Sequence, residues 1–85
     1  MKKLTKNTLS EMLKNYYWLS YNDGLLFSEK RIYIISREYT IVLWFGSDYG
    51  WNFIINGSSN YLIAKYALKL CDELEKGFNY YDNSK

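Results

Sequence analysis

RIYIISREYTIVLWFGSDYGWNFIING, residues 31 to 57, decides how this chain folds. Three runs within it, RIYIIS (31–36), YTIVLWF (39–45) and WNFIIN (51–56), are rich in β-branched and aromatic residues, which is the composition of strands. Only Arg37-Glu38 and GSDYG (46–50) lie between them, the second with two glycines able to take positive φ. Connections this short force neighbouring strands to run antiparallel, since a parallel crossover needs about a dozen residues or more. LLF at 25–27 adds a short candidate edge strand, so the sheet has three or four strands.

Side chains alternate between the two faces of a strand. Ile32, Ile34, Ile41, Leu43, Phe45, Trp51, Phe53 and Ile55 share one face, which is wholly apolar and is expected against the helices. The other face carries Tyr33, Ile35, Thr40, Val42, Trp44, Asn52, Ile54 and Asn56. Two arrangements compete. Helices on opposite faces make both faces core. Helices on one face leave the second as an exposed apolar patch, and such patches mark interaction sites. In that arrangement the partner-binding candidates are Tyr33, Ile35, Val42, Trp44 and Ile54, with Asp48 and Tyr49 in the flanking turn. Tyr17, Trp18 and Tyr21 add further aromatic surface.

Helices flank the strands. Leu9, Met12, Leu13, Tyr16 and Leu19 recur at three- and four-residue spacing, one face of a helix. Thr5 and Thr8 compete to cap it: Leu4 and Leu9 form a hydrophobic staple around the first, and Glu11 completes a capping box with the second. Thr5 is favoured because it satisfies the longer pattern. YNDG at 21–24 ends the helix. In SSNYLIAKYALKLCDELEKG (58–77), Ser58, Ser59 or Asn60 can cap, Ile63, Ala67, Leu70 and Leu74 form the apolar stripe with Ala64 and Cys71, and Gly77 ends the helix. Residues 79–85 read as a frayed tail. The fold class is α+β, in the order helix, three- or four-stranded antiparallel sheet, C-terminal helix (α-β-β-β-α). Eighty-five residues make one domain, 1–85.

The chain has no histidine and a single cysteine, which removes Cys-His dyads, Ser-His-Asp triads, His/Cys zinc sites and an internal disulfide. Cys71 lies on the buried stripe, the place of a packed thiol. The closest carboxylates, Asp72, Glu73 and Glu75, sit beside lysines on a solvated helical face. GSDYG lacks the P-loop lysine and precedes a strand, so it is a turn. No catalytic residue, cofactor or metal is expected, and the chain reads as a non-enzyme. Its start is too polar for a signal peptide and its apolar runs too short for a membrane span, which places it in the cytoplasm, the host cell's if it is phage-encoded.

The net charge of +2 is unevenly spread. Residues 1–37 hold seven Lys/Arg against three acids, and residues 38–85 hold four against six, which gives +4 and −2. The basic half is the feature that keeps a nucleic-acid partner in view. Asn, Lys, Ile and Tyr make up 34 of 85 residues, with two Ala, two Arg and no Pro, the bias of an AT-rich genome.

The helix–three strands–helix order resembles the double-stranded-RNA-binding domain, and GSSNYLIAKYALKL (57–70) resembles the start of that domain's last helix. Asn60, Tyr61 and Leu62 stand where that family's lysines grip phosphates. Architecture, length and composition also resemble the small anti-defence proteins of phages infecting Gram-positive bacteria, anti-CRISPR proteins among them. That resemblance implies a small protein-binding inhibitor of a host defence protein such as a CRISPR nuclease. The alternatives are a nucleic-acid-binding module and a structural homodimer.

Overall fold

β3 (Ile32–Ile35), β4 (Tyr39–Gly46) and β5 (Gly50–Gly57) form the antiparallel meander that their short connections require. These elements belong to a computed structural model that describes residues 2–16, 24–58 and 60–81. The Ser36 N–H donates to the Tyr39 carbonyl at 3.0 Å across the Arg37-Glu38 turn, and the Tyr49 N–H donates to the Gly46 carbonyl at 3.1 Å in the next. β2 (Gly24–Phe27) pairs with β3 and completes a four-stranded sheet in the order β2-β3-β4-β5.

Glycine is needed where β5 ends. Gly57 has φ +98°, and a Cβ there would lie 2.6 Å from the Glu38 carbonyl oxygen. That oxygen is held in place by the Ser58 N–H at 2.9 Å, so it cannot move aside cheaply. Gly57→Ala is therefore expected to cost about 1–3 kcal/mol, read from the shift in its urea midpoint.

α1 (Lys6–Leu13) starts at Thr5, whose hydroxyl accepts from the Thr8 N–H at 3.2 Å. The second candidate cap thus serves the first. Leu9 and Leu13 are buried on its inner face, and Tyr16 is buried just beyond its end. The helix ends at Leu13, short of the end expected at 21–24: Lys14 and Asn15 form a turn and Tyr16 is no longer helical, while Tyr17, Trp18, Leu19 and Tyr21 lie outside the described residues. α2 (Tyr61–Gly77) is capped by Asn60, which accepts from the Ile63 N–H at 3.1 Å. It buries Ala67, Leu70, Cys71 and Leu74 of the expected stripe, while in its first turn Ile63 is half-buried and Ala64 exposed.

The element order corrects the simple α-β-β-β-α reading. β1 (Lys2–Leu4) precedes α1, and β6 (Phe78–Tyr81) follows α2; the two pair in parallel as a second, two-stranded sheet. Residues 79–81, placed in the tail by sequence, thus belong to a strand, and 82–85 lie outside the described residues. A strand of three residues, with only Leu4 apolar, carries no alternation that a sequence reading can detect. Its pairing depends on the other end of the chain.

Leu4, Leu9, Leu13, Ile32, Ile34, Ile41, Leu43, Leu70 and Leu74 are the largest fully buried side chains. They form one cluster with Tyr16, Tyr39, Trp51, Ala67, Cys71 and Phe78, against which Phe45, Phe53 and Ile55 pack partly buried. Both helices contribute to this cluster from the same side of the sheet. Burial of this apolar face is the main favourable term in the folding of a domain this small.

Candidate protein-docking face of the sheet

The second face of the sheet is built by register. Leu26 pairs with Tyr33, Tyr33 with Val42 and Val42 with Ile54, so one apolar row crosses all four strands. At about 4.8 Å between neighbours the row spans about 15 Å. On one side of it Trp44 pairs with Asn52, and on the other Ile35 pairs with Thr40 and Thr40 with Asn56. None of these residues joins the core cluster, so among the described residues no helix is packed on this face.

Exposure is graded along the row. Leu26 is 52% exposed and Ile54 51%, while Val42 between Tyr33 and Ile54 is 5% exposed. Tyr33, Ile35 and Trp44 are half-buried. The Arg31 guanidinium lies 5.7 Å from the centre of the Trp44 ring, a cation–π contact worth about 0.5–1 kcal/mol at an exposed site. It covers one side of the indole while leaving the apolar row open.

The turn reaches the same face. A Cβ on Gly46 would lie 3.2 Å from the Tyr49 ring and 3.9 Å from the Asn52 amide nitrogen, so Tyr49 folds back over Gly46 beside Asn52. Asn52 in turn donates to the Gly50 carbonyl at 3.1 Å. Tyr49 is 79% exposed there. The structure thus brings Tyr33, Ile35, Val42, Trp44, Ile54 and Tyr49 to one surface. Asp48 is exposed in the turn, with no contact that sets it against that surface.

Sequence reasoning missed Leu26 and Arg31. Treating Gly24–Phe27 as a full strand paired with β3 puts Leu26 in phase with Tyr33, and the same alternation puts Arg31 in phase with Tyr33 and Ile35. The signal was present, but the strand is four residues long and opens on glycine.

Two titratable groups away from this face, Cys71 and Tyr16, are buried. Cys71 is 4% exposed, and burial, followed by the nearby Asp72 and Glu75 carboxylates, pushes its pKa from the ordinary 9.0 up to about 12. Burial also raises the Tyr16 hydroxyl pKa, helped by its hydrogen bond to Glu73. Both groups are neutral in the fold, and ionisation is easier in the unfolded chain. The stability they confer is complete below their ordinary pKa values and is lost as pH rises through the shifted ones. The fold is therefore expected to weaken progressively from about pH 9 toward 12, measured by circular dichroism, and Cys71 is expected to resist thiol reagents at neutral pH until denaturant is added.

Among the described residues, no helix is long and apolar enough to cross a membrane, and no group of three His, Cys, Asp or Glu lies together as a metal site. No protein-family model, no curated protein and no solved structure matches the chain.

Proposed function

We propose that this chain is a non-enzymatic protein-binding module that docks a partner protein on the second face of its sheet. The observation that carries the reading is the Leu26–Tyr33–Val42–Ile54 row, half-exposed at both ends and with no helix of the described residues over it. The face around it has the chemistry of a protein interface core: among the described residues it carries aliphatic and aromatic side chains and one arginine, with no lysine or carboxylate. The AT-rich composition and small size support a phage or mobile-element origin, and with it an inhibitor of a host defence protein such as a CRISPR nuclease. In that setting the protein acts in the host cytoplasm.

A nucleic-acid reading finds less support. Among the described residues Arg31 is the one charged residue on this face, and it is already stacked on Trp44. Lys2 and Lys3 lie over the Phe78 and Tyr80 rings of the small sheet, and Lys14 pairs with Glu11 at 3.0 Å, so these three lysines are engaged elsewhere than beside Arg31. Binding to duplex RNA or DNA is expected to be no tighter than non-specific, about 10⁻⁴–10⁻⁶ M at physiological salt, in a gel-shift titration.

Affinity capture from a lysate of a Gram-positive host, with nuclease treatment and a salt series, tests the function. A protein retained after nuclease and at high salt is the expected result. Recovery of nucleic acid alone, released steeply by salt, would move the function to the nucleic-acid class.

A further inference from the structure

β5 ends the four-stranded sheet, and no described strand pairs with its outer side. The ladder fixes which backbone groups point there. In an antiparallel pair, hydrogen-bonded and non-hydrogen-bonded positions alternate. The Ser58 N–H donates to the Glu38 carbonyl at 2.9 Å, so Glu38 and Ser58 are a bonded position. Carried along the register, this makes Asn56, Ile54 and Asn52 the β5 residues that bond to β4. Trp51, Phe53 and Ile55 then turn their N–H and C=O groups outward. The Trp51 N–H shows this phase directly, because it donates to Glu75 Oε1 at 3.2 Å and not to β4.

Phe53 and Ile55 have no such guard. No backbone bond to another described segment occupies their outward groups. Edge strands are usually protected by lysine, proline or a bulge. GWNFIING has no charge and no proline, and its register against β4 is unbroken. Glu75 closes one end of the edge and leaves its middle open.

We propose that two copies of this chain pair β5 to β5, edge to edge and antiparallel, about a two-fold axis through Ile54. The edge is its own complement. Phe53 and Ile55 flank Ile54, so Phe53 of one copy stands opposite Ile55 of the other, and each such pair exchanges both of its N–H···O=C bonds. This is an isologous contact that closes on itself. Ile54, half-exposed in a single copy, meets Ile54 of the second copy on the docking face. On the helix side, Phe53 borders an apolar groove of about 310 Å³ lined also by Tyr61, Ala64, Lys65 and Leu68, which leaves room for the second copy's side chains. The strand is uncharged, so bringing two copies together sets no like charges against each other along it. The two docking faces become continuous across the axis, each extended by the other copy's Ile54.

The test is molar mass across a concentration series, with amide exchange read residue by residue on the unaltered chain. The mass is expected to rise from 10.2 kDa toward twice that value. The Phe53 and Ile55 amides should become protected in step, while those of Leu25 and Phe27 on the opposite edge do not. Ile54→Lys sets two ammonium groups opposite each other at the axis, and Ile55→Pro removes an outward donor while sparing the β4 ladder. Both variants are expected to stay at 10.2 kDa with the far-ultraviolet spectrum of the folded chain, whereas Trp44→Ala still dimerises, which separates this pairing from the docking role of the face. The proposal is overturned by a dimer whose Phe53 and Ile55 amides exchange freely, or by one that survives both edge substitutions. It is equally overturned by a mass fixed at 10.2 kDa at every concentration, which would leave the edge to a strand of another protein.

Discussion

Trp51→Ala is expected to lower folding stability by about 3–5 kcal/mol, out of the 5–15 kcal/mol typical of a whole domain. Trp51 is 5% exposed, its ring packs edge-on to Phe45 at 5.5 Å, and it tilts against Tyr81 at 6.0 Å. Its indole N–H donates to the Phe78 carbonyl at 3.0 Å, the bond that ties the small parallel sheet to the large antiparallel one. Alanine leaves a cavity between the sheets and an unpaired buried carbonyl on β6, and both costs fall on one site. A urea melt measures the loss, and amide exchange in β1 and β6 should rise before that of β3 and β4. Phe53→Ala costs less, because Phe53 is only half-buried at the open edge.

Trp44→Ala is expected to behave in the opposite way. Trp44 lies outside the core cluster, half-buried, under the Arg31 guanidinium. Removing the ring forfeits one cation–π contact and part of the shielding of the face, a cost to folding on the order of 1 kcal/mol. Partner binding is expected to weaken by about 2 kcal/mol or more, roughly thirtyfold, since a large aromatic beside an arginine near the centre of an interface is the usual form of a hot spot. Binding titrations of the captured partner against both chains measure that difference.

The sheet was legible in the sequence because its information is local. Alternation in residues 31–57 placed Ile32, Ile34, Ile41, Leu43 and Trp51 on the buried side and Tyr33, Ile35, Val42, Trp44 and Ile54 on the other, and the observed register keeps every one of them there. Thr5 was legible as a cap for the same reason: its hydroxyl serves an N–H three residues away. What alternation could not decide was the side taken by each helix. An amphipathic stripe says that a helix is buried, not against which surface. The parallel pair was hidden for a related reason: Lys2 meets Phe78 and Leu4 meets Tyr81 across nearly the whole chain, and neither segment alone has a strand's pattern. Glu75 is an exposed helix carboxylate, as its spacing implies, and what the spacing does not show is that it accepts from the Trp51 N–H and closes one end of the β5 edge.

One face of the sheet is core, and the other is proposed as a docking surface. One variant tests both halves: Trp44→Ala, with its urea midpoint and its capture of the partner from host lysate measured beside the unaltered chain. The expected result is a midpoint close to that of the unaltered chain, far above that of Trp51→Ala, together with loss of the captured protein. A Trp44→Ala chain that unfolds as readily as Trp51→Ala, or one that captures the same protein equally well, would contradict it.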